Sequence, residues 1–166
     1  SYGKKIPVFG SGKNQYQLLD VDDLVEAIYL LTKVGKKAND KFNIGALSYK
    51  TVQKDLEDVF KFARSRSRIL PIPSLPLKLT LRFFEMLHIS PLYKWVYETA
   101  DKDSYVSIDK LCKVLDWKPK YSNSQALIKS YRWYISNYRA VKSHSTGVTH
   151  TTGWNQGVLG FFKKFL

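Results

Sequence analysis

Ile6-Pro7-Val8-Phe9 is a short apolar run that stops at Gly10-Ser11-Gly12, the pattern of a strand ending in a turn. A second strand-like run, from Tyr16 to Val21, ends on Asp22-Asp23, where a helix begins. Leu24, Ala27, Ile28 and Leu31 fall on one face of that helix. Asp23 with Glu26 makes an acidic capping-box pattern at its start, and Gly35 stops it. Phe42-Asn43-Ile44-Gly45 is brief, apolar and glycine-ended, as a buried strand would be. Thr51 can cap the next helix, where Val52, Leu56, Val59, Phe60 and Ala63 form the buried stripe.

Ile69-Leu70-Pro71-Ile72-Pro73 reads as extended, because proline disfavours helix in the residue before it. Leu75 to Leu87 is apolar almost all round, which predicts a segment buried in the core or docked against something else. Tyr105-Val106 predicts a short strand. Ser107 can cap a helix carrying Ile108, Leu111, Cys112 and Leu115, which Trp117-Lys118-Pro119 breaks. Leu127, Tyr131, Tyr134 and Tyr138 follow at helical spacing. After Asn137 the chain turns polar up to His150, and Trp154 to Leu166 mixes aromatics with Lys163 and Lys164. Strands alternating with helices, without an internal repeat, predict an α/β protein.

With 166 residues the chain is long enough for one domain and one core, and its 44% apolar and 14% aromatic content argues against disorder. No apolar run is long enough to span a bilayer. The opening Ser1-Tyr2-Gly3-Lys4-Lys5 has no apolar signal region behind its charges, so it does not read as a secretory leader; it reads as a sequence entered midway. One cysteine, Cys112, excludes an internal disulfide and fits a reducing cytoplasm. His88, His144 and His150 lie far apart with no acidic motif between them, so no metal site is expected. The net charge of +13 would attract nucleic acid, anionic lipid or phosphorylated small molecules. The lysines are scattered and no nucleic-acid-binding motif occurs, which disfavours nucleic acid as the main partner.

The run from Pro7 to Leu24, PVFGSGKNQYQLLDVDDL, resembles a signature of the extended short-chain dehydrogenases, in the NAD-dependent epimerase/dehydratase family that works on nucleotide sugars. Phe42-Asn43-Ile44-Gly45 is similar to the family's "tyr-asn-ile-gly" strand. Leu115-Asp116-Trp117-Lys118-Pro119 is similar to its "leucine-glycine-tryptophan-x-proline" stretch before the last helix. In order and spacing these motifs cover the chain from about Lys4 to Asn137.

The resemblance implies the C-terminal part of an NAD(P)-binding Rossmann-type enzyme, an incomplete sheet joined to a mostly helical substrate-binding lobe. Residues 1–138 would be that substrate-binding portion, 139–153 a linker and 154–166 an amphipathic C-terminal tail. In the family a missing N-terminal Rossmann half would carry the glycine-rich dinucleotide loop and the catalytic Tyr-x-x-x-Lys pair. The intact parent would then hold NAD or NADP and act as isomerase, lyase or oxidoreductase on a nucleotide-sugar substrate. This portion alone would bind no cofactor and turn nothing over; a homodimer is left open.

The residues agree with that division. Gly10-Ser11-Gly12 lacks the third glycine of a dinucleotide loop, with Gln15 where it would fall. Tyr29 to Lys33 and Tyr138 to Lys142 match Tyr-x-x-x-Lys, but a chain with 11 tyrosines and many lysines produces such matches by chance. The paired acids Asp22 and Asp23 read as a helix start rather than as a catalytic pair. No catalytic residue is therefore assigned.

The candidate substrate-binding residues are Phe9, Asn14, Tyr16, Gln17 and Lys102, all placed by the resemblance. The strand at Ile6–Phe9 would pass beside the nucleotide base, with Phe9 able to cover its face. Tyr16 stands where the family usually has an arginine for the diphosphate, and Gln17 replaces the aspartate that follows. Tyrosine donates one hydrogen bond and carries no charge, whereas an arginine fork donates two. Asn14 and Gln17 can still offer amide donors and acceptors. Lys102 lies in a loop whose family counterpart can reach the nucleotide, although a solvated charged loop is the plainer account.

Two alternatives remain: a stand-alone binding module using its basic surface, and a peripheral membrane protein led by its tail. Trp154, Val158, Leu159, Phe161, Phe162, Phe165 and Leu166, beside Lys163 and Lys164, could lie in a membrane interface. The expected location is the cytoplasm, with or without attachment to a membrane surface.

Overall fold

The structure, a computed structural model, describes residues 3–88, 90 and 92–139. The amphipathic tail, His144, His150, Lys142 and all of the expected linker beyond Arg139 lie outside the described residues. The chain divides into two compact units. One takes the described residues of 1–12, 64–101 and 130–139; the other takes 13–63 and 102–129.

The first unit contains strands β1 (Lys5–Phe9) and β2 (Arg68–Ile72), which pair in parallel with Lys5 opposite Arg68 and Phe9 opposite Ile72. The expected strand at Ile6–Phe9 and the expected extended stretch at Ile69–Pro73 are therefore strands of one small sheet. Pro7 and Pro71 remove one backbone donor from each strand, a loss that a two-stranded sheet with open edges tolerates. Gly10 closes the pairing by donating its N–H to the Ile72 carbonyl at 2.8 Å, and its φ of +63° is the left-handed turn that glycine enters without strain.

Helix Ser74–Met86 covers the apolar segment expected at Leu75 to Leu87. It packs against helix Lys94–Thr99, which the sequence pattern did not reveal. Tyr97 is wholly buried there and donates its hydroxyl hydrogen to the Glu85 carboxylate. Burial, then that hydrogen bond, pushes the Tyr97 phenol up to about 12. Lys78 pairs with Asp101 at 2.6 Å, which holds the Asp101 carboxyl below the usual carboxylate range. Only Leu81 of helix Ser74–Met86 is buried; Leu75, Leu79, Phe83 and Met86 are each more than half exposed.

The second unit is built from helices and irregular chain. Helix α1 (Val21–Leu31), helix α2 (Val52–Phe62), the helices at Asp109–Leu115 and Asn123–Ser136, and a 3-10 turn at Gly35–Ala38 are joined by irregular chain. The two helices of the first unit are numbered α3 (Ser74–Met86) and α4 (Lys94–Thr99) in chain order. Asp109–Leu115 and Asn123–Ser136 are thus α5 and α6, the last turns of α6 belonging to the first unit.

Thr51 caps α2 as expected, its hydroxyl accepting from the Lys54 N–H. The cap of α1 differs from the expected one: Asp20 caps it, accepting from the Asp22 N–H at 2.9 Å. Asp23, only 1% exposed, instead accepts the backbone N–H groups of Lys120 at 2.9 Å and Tyr121 at 3.1 Å. Glu26 receives the Trp117 indole N–H and the Lys120 ammonium, and Lys120 holds its carboxyl below the usual range. The two acids of the supposed capping box therefore tie α1 to the segment after α5. Ile28, expected on the inner face with Leu24, Ala27 and Leu31, is exposed.

Ser107 precedes α5 and its hydroxyl accepts from the Asp109 N–H. At the far end Asp116 takes the left-handed conformation, with φ and ψ both 47°. In α6 the buried residues are Asn123 and Ala126, while Tyr134 and Tyr138 are exposed and meet edge to face at 5.7 Å.

Three expected strands, Tyr16–Val21, Phe42–Gly45 and Tyr105–Val106, are not strands. Their backbone groups find different partners one at a time. Gln15 bridges Thr51 and Tyr16 bridges Ser104; the Ala46 N–H goes to the Leu18 carbonyl; the Val106 N–H goes to the Gln17 side chain. Such single bonds satisfy polar groups without building a ladder. Among the described residues no helix is long and apolar enough to cross a membrane, and no cluster of three metal-ligating side chains occurs.

Candidate functional site

Four of the five candidate residues, Asn14, Tyr16, Gln17 and Lys102, fall in the second unit, where two irregular segments are laced together. Asn14 donates its side-chain amide to the Lys102 carbonyl at 3.0 Å. The Gln15 N–H donates to the Asp103 carboxylate at 2.7 Å, and the Ser104 N–H to the Gln15 carbonyl at 2.8 Å. The Gln17 N–H then donates to the Ser104 carbonyl at 2.8 Å. Residues 14–17 and 102–104 are therefore joined by four hydrogen bonds into one loop pair. Phe9 belongs to the first unit, half-buried at the end of β1 opposite Ile72.

Within the pair, Tyr16 is held by its backbone and presents its ring. Its carbonyl accepts from the Asn123 amide at 2.7 Å, while the side chain stays 40% exposed. Lys102 is tied into the same loop pair by its carbonyl and is an exposed residue. An exposed phenol donor and an exposed cation on a fixed frame can bind an anionic ligand, the cation by charge and the phenol by one directed hydrogen bond.

Gln17 is differently employed. Its side-chain N–H donates to the Ala46 carbonyl at 2.8 Å, and its side-chain oxygen accepts from the Val106 N–H at 2.8 Å. A Cβ at Gly45 would meet the Gln17 amide carbon at 2.5 Å, so glycine is needed there for the amide to lie against the backbone. Gln17 also lines an open groove of about 270 Å³ together with Tyr49 and Tyr105, whose rings stack with centroids 5.6 Å apart.

The residue that organises this region is one that sequence reasoning missed. Asn123, 1% exposed, donates to the Tyr16 carbonyl and to the Asp55 carboxylate, and accepts from the Leu18 N–H at 2.9 Å. Asp55, itself buried, also accepts from the Ser124 hydroxyl and the Lys50 N–H. On the other flank Lys129 joins Asp20 and Asp22, which raise its pKa, and lies over the Tyr121 ring at 4.6 Å. The one available signal was an asparagine at the start of a helix, a position where its side chain turns to backbone.

The glycine turn does not open a helix. Gly10 and Gly12 have positive φ, yet the chain runs from them into the laced loop and not into a helix N-terminus, which a pyrophosphate needs.

Comparison with known proteins adds three findings. The sequence model of the NAD dependent epimerase/dehydratase family matches residues 1–45. The uncharacterized protein y4nG of Sinorhizobium fredii is 36% identical over 157 residues, covering 95% of this chain and 39% of that protein. The dTDP-glucose 4,6-dehydratase of Escherichia coli is 26% identical over 145 residues, covering 87% of this chain and 36% of the enzyme. The chain thus spans little more than a third of the curated relatives it matches. Among solved structures, an epimerase from Methanothermobacter thermautotrophicus superposes with a TM-score of 0.62 at 17% identity, covering 85% of this chain and 36% of that one. The dTDP-glucose 4,6-dehydratase of Bacillus anthracis, in complex with NAD, does so with a TM-score of 0.56 at 22% identity, covering 82% and 36%. These two likenesses establish the fold.

Proposed function

We propose that this chain, part of a member of the NAD-dependent epimerase/dehydratase family, supplies substrate contacts to a nucleotide sugar within a longer NAD- or NADP-dependent enzyme. The observation that carries the reading is the laced loop pair, which fixes Tyr16 and Lys102 on one frame. A nucleotide sugar offers a diphosphate to such a frame. The Tyr16 hydroxyl donates one hydrogen bond to a phosphate oxygen and the Lys102 ammonium supplies the charge that tyrosine lacks. Asn14 and Gln17 act as positioning residues, Asn14 on the Lys102 backbone and Gln17 on Ala46 and Val106. Phe9 is proposed to cover the base. The bound dinucleotide would exchange a hydride with the sugar and is proposed to be held by residues outside this chain, a reading supported by a turn at Gly10–Gly12 that does not open a helix.

In the longer enzyme, Tyr16→Phe removes one hydrogen bond to a charged acceptor, worth about 1.5–3 kcal/mol, or roughly ten- to a hundredfold in Kd. Lys102→Met weakens binding at low salt and flattens its salt dependence, since an exposed charge acts through screened attraction. Calorimetric titration with dTDP-glucose and UDP-glucose at two ionic strengths measures both. Unchanged affinity in both variants would remove the loop pair from the substrate site.

A further inference from the structure

The positive charge of the chain is unevenly divided. The described residues of the first unit carry ten lysines and arginines against three acids, a surplus of seven, whereas the surplus of the second unit is three. Those three acids are already engaged: Glu85 accepts from Tyr97, Glu98 pairs with Arg82 and Asp101 with Lys78. Lys4, Lys5, Arg66 and Arg68, all exposed, gather where the two strands begin. Lys5 stands opposite Arg68, and the Arg68 N–H donates to the Lys4 carbonyl at 3.0 Å. The chain at Gly3 lies so close to Arg66 that a Cβ there would meet the Arg66 carbonyl oxygen at 2.7 Å. Lys94 adds an exposed cation at the start of α4.

The same unit carries the apolar stripe of α3. At about 100° per residue, Leu75, Leu79, Phe83 and Met86 fall within an arc of roughly 80°, and the buried Leu81 lies on the opposite side. Tyr93 and Trp95 stand exposed at the start of α4, which packs on α3. We infer that the first unit docks on an anionic lipid surface, with this stripe at the boundary of headgroups and acyl chains and the surplus cations drawing it there. Nucleic acid would answer the cations and leave the stripe in water. An apolar protein surface would cover the stripe and leave the cations unanswered. A bilayer containing anionic lipid meets both, and tyrosine and tryptophan are the aromatic types that settle at headgroup depth. At about 1.5 Å per residue α3 is roughly 20 Å long, too short to cross the hydrocarbon core, so it lies in the interface. The surface uses none of the residues assigned to the substrate and does not depend on that assignment.

The test is sedimentation of the full chain with vesicles of phosphatidylcholine alone and of phosphatidylcholine mixed equally with phosphatidylglycerol. The chain should partition onto the mixed vesicles about tenfold or more above the neutral ones, and added salt should shrink the difference. Equal partitioning onto the two vesicle types overturns the proposal. Leu79→Glu combined with Phe83→Glu, both at exposed positions, should lower partitioning onto the mixed vesicles by about tenfold or more. Unchanged partitioning of that variant overturns the proposal as well. Leu79→Cys in a Cys112→Ser background, labelled with an environment-sensitive fluorophore, locates the contact even if the double variant fails to fold. Its emission should shift to the blue on the mixed vesicles. Unshifted emission while the protein sediments would assign binding to another surface, such as residues 154–166, and overturn the proposal. A chain that does not sediment with the mixed vesicles overturns it too and leaves the stripe to a protein surface.

Discussion

In the second unit Asp20, Asp23, Asp55 and Asn123 are all at most 7% exposed, and each bonds at least one backbone group. Among the described residues of the first unit the buried side chains are Leu81 and Tyr97, while Leu75, Leu79, Phe83, Met86, Tyr93, Trp95 and Trp133 stand more than half exposed. Among the described residues, large apolar side chains thus stand exposed in both units, whereas the buried polar groups that hold irregular chain all lie in the second. Where a segment has no ladder, its N–H and C=O groups must find partners singly, and a buried carboxylate or amide that accepts or donates several bonds supplies them. The loops that carry Tyr16 and Lys102 are tied down in this way, with no buried side-chain polar atom left unpaired among the described residues.

The sharpest way to break this contrast is Asn123→Ala. It leaves the Tyr16 carbonyl, the Leu18 N–H and one bond to Asp55 without a partner, at a cost of about 3–5 kcal/mol. Urea unfolding should show the midpoint collapse. Leu79→Ser, on the exposed stripe of α3, should stay within about 0.5 kcal/mol in this chain. Equal losses in the two variants would show that the units are not held differently.

Asp23→Ala comes next. It strips two backbone donors, at Lys120 and Tyr121, of their shared acceptor and should cost about 2–4 kcal/mol, more than a lost helix cap. Asp23→Asn keeps an acceptor oxygen and should recover part of it. Hydrogen exchange at the Lys120 and Tyr121 amides reads the effect directly, and unchanged protection in Asp23→Ala would dismiss the clamp.

Acid tests the ion pairs of both units. Asp101 in the first unit and Asp58 in the second have carboxyls held below the usual range, by Lys78 and Lys50 respectively. A depressed folded value means stability that is fully present above the ordinary carboxylate pKa and is lost as pH falls through the folded one. Melting temperature should therefore fall below about pH 4, and Lys78→Met should shrink that fall by removing the cause of the Asp101 shift. An unaltered pH profile in Lys78→Met would mean that this pair contributes nothing.

The parts of the fold legible in the sequence were those with a local cause. Thr51 announced α2, Pro71 and Pro73 announced the extended β2 segment, and the tryptophan-proline stretch announced the break after α5. Tyr16–Val21, Phe42–Gly45 and Tyr105–Val106 carry the residue types of strands, yet their partners are single groups distant in sequence, such as Asn123 for Leu18 and Gln17 for Val106. Periodicity registers composition and spacing, so it could not report those pairings. The same limit hid the site's frame. Gln17 and Asn14 could be named as polar, but their commitment to Ala46, Val106 and Lys102 is tertiary information. Asp23 and Glu26 fitted a local capping pattern and were claimed instead by Lys120, Tyr121 and Trp117.

The smallest expected effect lies at Asp116, where sequence resemblance and backbone geometry meet. The family stretch similar to Leu115–Pro119 has glycine at this position, and Asp116 here adopts φ and ψ of 47° at the C-terminal end of α5. A left-handed residue with a Cβ carries a steric cost that glycine avoids, and a carboxylate at a helix C-terminus opposes the helix dipole. Against this, glycine widens the unfolded ensemble. The first two effects outweigh the third when φ is positive, so Asp116→Gly should stabilise the second unit by about 0.5–1 kcal/mol. Asp116→Ala, which keeps the Cβ and removes only the charge, should recover less of it. A urea midpoint that rises for glycine and hardly moves for alanine assigns the gain to backbone conformation. Equal rises would assign it to the charge, and a fall for glycine would mean that the aspartate side chain stabilises this turn.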